Sequence, residues 1–451
     1  LPKVEKLLLS CSTARSTART SRKLIGFKRQ DQYDKCVRQL ADYGIKPLKS
    51  IRRGRLIVCH IDGRRGDRLR KLAQHPDVSY VEPDFKVHAH GFVPMNGAGK
   101  GTSNGSRLAV SGFGSRQSSS PYMKHGLRPA TRKANARTES SGVRASWNVR
   151  QIQADQVWPK TRGGGAGIGI IDTGIGKHPD LRVSGGVNTM GGSSFADDHG
   201  HGTHVAGIAA ALGKYGQPSG TAPGAKLYAV KALDANGAGY VSDLIKGIDW
   251  CVKKKVNVIN MSLGLAGETS SALKEAVQRA RKNGIVVVAS AGNDGPSNRK
   301  GIDQPARYSD AIAVAASTPK GKIADYSSRG YGIDVTAPGS FVKSTRPGGG
   351  YAIMSGTSMS CPHVAGGVAL LKSLQPGLTP QGIKKRLRAT ARNVPGYGTR
   401  SQGCGIVQLY AACGLAADGN EAAASRRKRG AGGVSRAKRQ GRSEGQGGRK
   451  R

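Results

Sequence analysis

Between Trp147 and Gly414 the chain repeats one pattern: a short, largely apolar run, then a stretch with apolar residues at helical spacing. The apolar runs cover residues 166–171, 226–230, 256–261, 285–291 and 311–315. The helical stretches cover 203–212, 242–253, 270–283 and 358–374. A strand with one wet face alternates polar and apolar residues, whereas a strand that is apolar throughout must be covered on both faces. Such strands alternating with helices predict an α/β domain, residues 146–414, in which helices cover both sides of a parallel sheet. In that architecture working residues are expected just beyond the carboxyl ends of strands.

The rest of the chain is organised differently. Residues 23–90 read as strand, helix, strand, helix, strand, the pattern of a small ferredoxin-like α/β unit. Residues 1–22 are basic and rich in Ser and Thr, and are expected to be disordered. Residues 91–145, dominated by Gly, Ser, Arg and Asn, read as a linker, and residues 415–451 as a disordered basic tail. A hydrophobic content of 37% over 451 residues is low for one compact body, which agrees with segments outside any core. The formal net charge of +44 is densest in the linker and tail. Solvated faces account for it most simply. An anionic surface or polymer is the alternative partner, although no aromatic platform or nucleic-acid motif accompanies the charge. The seven cysteines show no zinc spacing and no disulfide framework; Cys404 and Cys413 are near enough in sequence to pair.

Three segments carry chemistry. Asp172 closes the apolar run 166–171 within Ile171-Asp172-Thr173-Gly174. His201 opens His201-Gly202-Thr203-His204. Ser358 follows Gly356-Thr357 at the expected start of a helix. A serine hydroxyl is a poor nucleophile until a base takes its proton. An imidazole can do so near neutral pH, and a carboxylate orients that imidazole and stabilises its cation. Asn293, in Ala291-Gly292-Asn293-Asp294-Gly295, supplies an amide that could bind an oxyanion together with the Ser358 N–H. Each segment alone has a plainer reading: a strand-end turn, a helix entry, or a His pair three residues apart with no acidic ligand on the same helix. Acid, base, nucleophile and amide together predict acyl transfer.

The segments 170–175, 201–207 and 356–366 resemble the three signatures of the subtilisin-like serine proteases, and the likeness runs from about Trp147 to Leu409. The resemblance implies an Asp172–His201–Ser358 triad with Asn293 as the oxyanion residue. It implies that Gly237-Ala238-Gly239 and Ser262-Leu263-Gly264 clamp an extended protein or peptide substrate between them. Residues 23–90, with 77–84 and the closing 87–90, resemble the family's propeptide, an intramolecular inhibitor cut away by the enzyme. A self-processing, secreted, monomeric endopeptidase follows as the expectation. Export rests on the propeptide likeness, because Leu7-Leu8-Leu9 is too short for a signal-peptide core.

No cofactor is expected for the chemistry. Structural calcium is implied by the family, yet Lys214 stands where an oxygen ligand is expected; Asp180 remains as one candidate ligand. Asp294 and Asp303 correspond by resemblance to the rim and base of the primary specificity pocket. Carboxylates there would favour Lys or Arg before the cut, and Arg144 would then suit self-cleavage. The alternative is that both aspartates face water and the pocket takes large apolar residues. Two other functions remain open on the residues: a silent scaffold held on an anionic polymer by its basic arms, and an esterase or ligase using the same nucleophile.

Overall fold

The structure is a computed structural model that describes residues 3–13, 16–90, 145–296 and 301–415. Its centre is a seven-stranded parallel sheet. From one edge the order is Val335–Pro338, Ala311–Ser317, Val286–Ser290, Val258–Met261, Gly167–Asp172, Lys226–Lys231 and Val183–Asn188. Five of these are the predicted apolar runs. Successive residues on them point to opposite faces. Ile168 and Ile170 join a core with Val205, Val364 and Val368, from the helices His201–Ala210 and Thr357–Leu374. Ile171 joins a second core with Leu244, Ile248 and Val277, from the helices Val241–Lys254 and Ser271–Lys282. Each fully buried Val, Leu or Ile contributes roughly 1.5–3 kcal/mol relative to exposure. Such burial on both faces is why these strands are largely apolar and do not alternate with polar residues along their length.

The two strands missed in the sequence lie at the edges. Val183–Asn188 is glycine-containing and half exposed, and Val335–Pro338 contains Thr336 and ends in proline, so neither reads as an apolar run. The three central strands are in register: Met261 pairs with Ile171 on one side and with Ala289 on the other. Asp172, Ser262 and Ser290 therefore emerge at one level of one sheet edge.

The smaller unit is an antiparallel sheet in the order Lys49–Ile51, Leu56–Asp62, Thr20–Phe27, Val78–Pro83, the ferredoxin-like arrangement. The helices Gln30–Asp42 and Gly66–Ala73 cover one face. The other face packs on the large domain: Leu24, Leu56 and Val58 share a core with the helices Val241–Lys254 and Ser271–Lys282. One expectation is corrected here. The described part of residues 1–22, namely 3–13 and 16–22, is not an unstructured arm. Val4–Cys11 is a helix, Ser12–Thr13 pairs with Leu56–Asp62, and residues 20–22 begin a central strand. Val4, Leu7, Leu8 and Cys11 form a helical stripe that enters the core of the unit, outweighing the polar composition around them. All seven cysteines are free thiols, so Cys404 and Cys413 do not pair. The linker 91–145 and the tail 415–451 lie outside the described residues, except for residues 145 and 415 at their ends. Among the described residues no helix is long and apolar enough to cross a membrane.

Candidate active site

Asp172 is the last residue of its strand and is fully buried. Its Oδ1 lies 2.7 Å from Nδ1 of His201 and accepts a hydrogen bond from the Thr173 N–H at 2.7 Å. His201 is the first residue of its helix, after Gly200 at φ +102°, a conformation open to glycine and strained for other residues. Gly202 lets the helix come close: a Cβ there would strike the Gly174 carbonyl oxygen and fall 3.1 Å from Asp172 Oδ1. Burial is the largest influence on the His201 imidazole and pulls its pKa down. The charge and hydrogen bond of Asp172, with the charge of Asp197, outweigh it, so the net shift is upward.

Ser358 is the second residue of the Thr357–Leu374 helix and is fully buried. Its hydroxyl donates to two carbonyl oxygens, those of His90 and Ser262, each at 3.0 Å. Nε2 of His201 is buried and has no hydrogen-bond partner among the described residues. Asp172 and His201 are thus paired, while the Ser358 hydroxyl lies against the His90 and Ser262 carbonyls and not against the imidazole. Asn293 follows the strand Val286–Ser290. Its Oδ1 accepts from the N–H and hydroxyl of Thr357, both at 2.9 Å, which turns the amide nitrogen to the opposite side.

The two segments expected to clamp a chain hold one. Residues Lys86–Ala89 form the middle strand of a three-stranded antiparallel sheet, between Ala238–Tyr240 and Leu263–Gly264. The Ala89 N–H donates to the Gly237 carbonyl at 2.9 Å, and the His90 N–H to the Ser262 carbonyl at 3.3 Å. Val87 is fully buried, opposite Gly239. Asp303 is 4% exposed and lies under the His90 ring, whereas Asp294 is exposed at the mouth of the same cavity.

Two further carboxylates anchor the smaller unit at helix N-termini. Glu82 accepts from the Ser270 hydroxyl (2.6 Å) and the N–H groups of Ser271 (2.9 Å) and Ala272 (3.2 Å). Asp84 accepts from the N–H and hydroxyl of Ser242, both at 2.9 Å, and pairs with Arg22 at 2.7 Å. The free N–H groups and dipole of a helix start favour carboxylates there.

Sequence reasoning missed two supporting residues. Asp197 is buried between the Asp172 loop and the His201 helix and accepts five hydrogen bonds: from the Thr173 and Thr203 hydroxyls and from the N–H groups of His199, Gly200 and Thr203. Burial raises its pKa, but these donors prevail and hold it below the usual carboxylate value. An Asp upstream of a helix start was the available signal. Lys231 is buried, and its ammonium donates to the Thr173 and Leu233 carbonyls, both at 2.9 Å, and to Asp198 at 2.6 Å. A lysine directly after an apolar run was the hint.

Asp180 is buried and both its carboxylate oxygens meet protein donors: Oδ1 accepts from the Lys214 backbone N–H at 2.8 Å, and Oδ2 from the Tyr351 hydroxyl at 3.1 Å. Burial, then the Asp180 charge and hydrogen bond, push the Tyr351 phenol up to about 12, so it stays a donor.

Comparison with known proteins gives the same assignment as this geometry. The sequence model of the Subtilase family matches residues 163–408. The thermostable alkaline protease of Halalkalibacterium halodurans is 45% identical over 247 residues, 54% of this chain and 67% of the relative. Subtilisin Savinase of Lederbergia lenta is 41% identical over 268 residues, covering 59% and 97%. The minor extracellular protease Epr of Bacillus subtilis is 39% identical over 280 residues, covering 61% and 42%. With a parallel α/β sheet, a family match over more than half its length and relatives of this kind, the chain belongs to the subtilase family of serine endopeptidases.

Proposed function

We propose that the chain is a self-processing zymogen whose Asp172, His201 and Ser358 act as one catalytic unit on extended protein substrates. In this reading His201 Nε2 takes the Ser358 proton as Oγ attacks the substrate carbonyl carbon. Asp172 holds the imidazole tautomer and stabilises its cation. The Asn293 amide and the N–H at the start of the Thr357–Leu374 helix receive the oxyanion, a kind of contact worth roughly 3 kcal/mol, a figure measured in a relative, subtilisin. His201 returns its proton to the leaving amine, and water then hydrolyses the acyl-enzyme.

One observation carries the proposal: the carbonyl of His90 sits on the Ser358 hydroxyl, with residues 86–89 clamped upstream as an added strand. The smaller unit thereby blocks the site as an intramolecular inhibitor. Turning Ser358 about its Cα–Cβ bond, away from the two carbonyls and toward the partnerless Nε2, is the step that would start the reaction. Both carboxylate caps and the shared core hold the blocked state together. The reading further assigns an extracellular, monomeric protein, supported by the printed name of one relative as an extracellular protease. This reading gives calcium no part in the chemistry. The charge of the linker and tail is read as solvation, with an anionic surface or polymer as the alternative partner.

The test is to treat the purified chain with a fluorophosphonate and to follow its fragments beside a Ser358→Ala control. Labelling at Ser358, hydrolysis of denatured protein and intact control chain are the expected results. An unlabelled Ser358 would return the silent scaffold; labelling without hydrolysis of denatured protein would return the esterase.

A further inference from the structure

The ring of His90 fills a fitted slot. Nε2 lies 2.8 Å from Asp303 Oδ2, and Nδ1 lies 2.6 Å from Ser290 Oγ. The side chains of His90 and Asp303 are 9% and 5% exposed, and Ser290 is fully buried. Two glycines make the walls. A Cβ on Gly264 would collide with His90 Nε2, and one on Gly292 would fall 3.0 Å from Asp303 Oδ2. Asp303 Oδ1 is buried with no hydrogen-bond partner among the described residues. Its carboxylate therefore relies on whatever enters the slot. Removing a buried carboxylate's partner is costly, because its desolvation is then uncompensated. Leu or Phe in the slot would leave both Asp303 oxygens unpaired. An imidazole protonated on Nε2 donates to Asp303, and its Nδ1 meets the Ser290 hydroxyl, which can donate to it or accept from it.

We infer that this pocket reads histidine before the cut, that Asp303 and Ser290 are its specificity-determining residues, and that the chain cuts itself at the bond after His90. The inference rests on the proposed function and narrows it. The backbone around His90 already meets the requirements: its N–H on the Ser262 carbonyl, its carbonyl on Ser358, and residues 86–89 in both ladders. Ser358 Oγ bonds to the His90 carbonyl carbon while its proton passes to His201. The carbonyl electron pair moves to oxygen and returns as the C–N bond breaks. The proton on His201 departs with the amine of residue 91. Water then adds to the His90–Ser358 ester, the serine oxygen regains a proton, and His90 is left with a free carboxylate. Arg144, which a pocket preference for Lys or Arg would have suited for self-cleavage, lies outside the described residues.

Two measurements test this. Intact mass of the fragments formed by the full chain should give a piece ending at His90 and a new N-terminus at residue 91, both missing from Ser358→Ala. Peptides carrying residues 86–89, then one varied residue, then residues 91–94 should be cut by the matured enzyme at least tenfold better, in kcat/KM, with His than with Phe or Leu. A charge-assisted hydrogen bond supports roughly ten- to hundredfold discrimination. Asp303→Asn should bring that ratio below tenfold; where this variant does not accumulate, Ser290→Ala is read for the same fall. A first cut elsewhere, or a His preference below tenfold in the wild type, overturns the inference. If denatured protein is still hydrolysed and Ser358 still labelled, only this inference is lost. If neither occurs, the proposed function is lost too.

Discussion

Replacing Asp197 tests how His201 is held. Its carboxylate accepts five hydrogen bonds in a buried site, three from backbone N–H groups and two from hydroxyls. The Thr173 hydroxyl that donates to it also accepts from the Gly202 N–H at 2.9 Å, so one network fixes both the Asp172 loop and the His201 helix. Asp197→Ala leaves buried donors unmatched. Hydrogen bonds to charged groups contribute roughly 1.5–3 kcal/mol each but do not add, and breaking a buried charged cluster costs about 3–5 kcal/mol. Asp197→Asn preserves volume but turns an NH2 toward donors at Thr203 or at Gly200, so most of that loss is expected for Asn as well, about 3 kcal/mol. The assay is urea unfolding in a Ser358→Ala background, which prevents self-digestion. The three tryptophans, Trp147, Trp158 and Trp250, all lie in the large domain, so their fluorescence reports that domain. The pKa of Asp197 is depressed, so its contribution is present above the unfolded value and is lost as pH falls through the folded one. Wild type and Asp197→Asn should therefore converge in acid. A loss under 1 kcal/mol at neutral pH, or a difference that does not shrink in acid, would refute the reasoning.

Three more outcomes are expected. Glu82→Ala removes three hydrogen bonds at the start of the Ser271–Lys282 helix and should weaken the hold of the N-terminal unit by about 2–3 kcal/mol, seen as roughly 30- to 150-fold faster release of latent activity; unchanged latency would count against the cap. Because His201 must be neutral to act and its pKa is raised, kcat/KM should begin to fall in acid above the ordinary histidine value of about 6.5. The same raised pKa contributes stability that is present below the unfolded value and is lost as pH rises through the folded one. Asp172→Asn removes the raising charge, so the acid limb of its residual activity should move to lower pH; a limb at or above the wild-type position would contradict the assignment. Tyr351→Phe should cost about 1 kcal/mol through the lost Asp180 bond, measured by thermal unfolding with and without calcium, and rescue by calcium would show that the loop is a cation site after all.

Much of the architecture was legible because its cause is local. An apolar strand between two layers leaves a largely apolar run, and Ser271–Lys282, half in water, leaves a clear helical stripe. The N-terminal helix was missed because one short stripe, Val4-Leu7-Leu8-Cys11, lies in polar surroundings and is buried only once residues farther along the chain, such as Cys36, Ile61 and Leu72, close the same core. Asp172, His201, Ser358 and Asn293 stood out because each sits in a glycine-rich turn that a reactive group at a sheet rim needs. Asp197 and Lys231 did not, since nothing beside them in sequence tells a buried hub from an ordinary cap.

By itself the amino-acid sequence determined the layered parallel fold, the small α/β unit before it and the residues proposed to react, because strand and helix periodicity and turn chemistry act over a few residues. The tertiary structure alone decided what the Ser358 hydroxyl meets, which residue fills the pocket and which carboxylate meets it. Those outcomes depend on contacts such as Ser358 with His90 and Asp303 with His90, separated by 268 and 213 positions. At that distance no local pattern records a pairing; folding has to bring the groups together before their chemistry is defined.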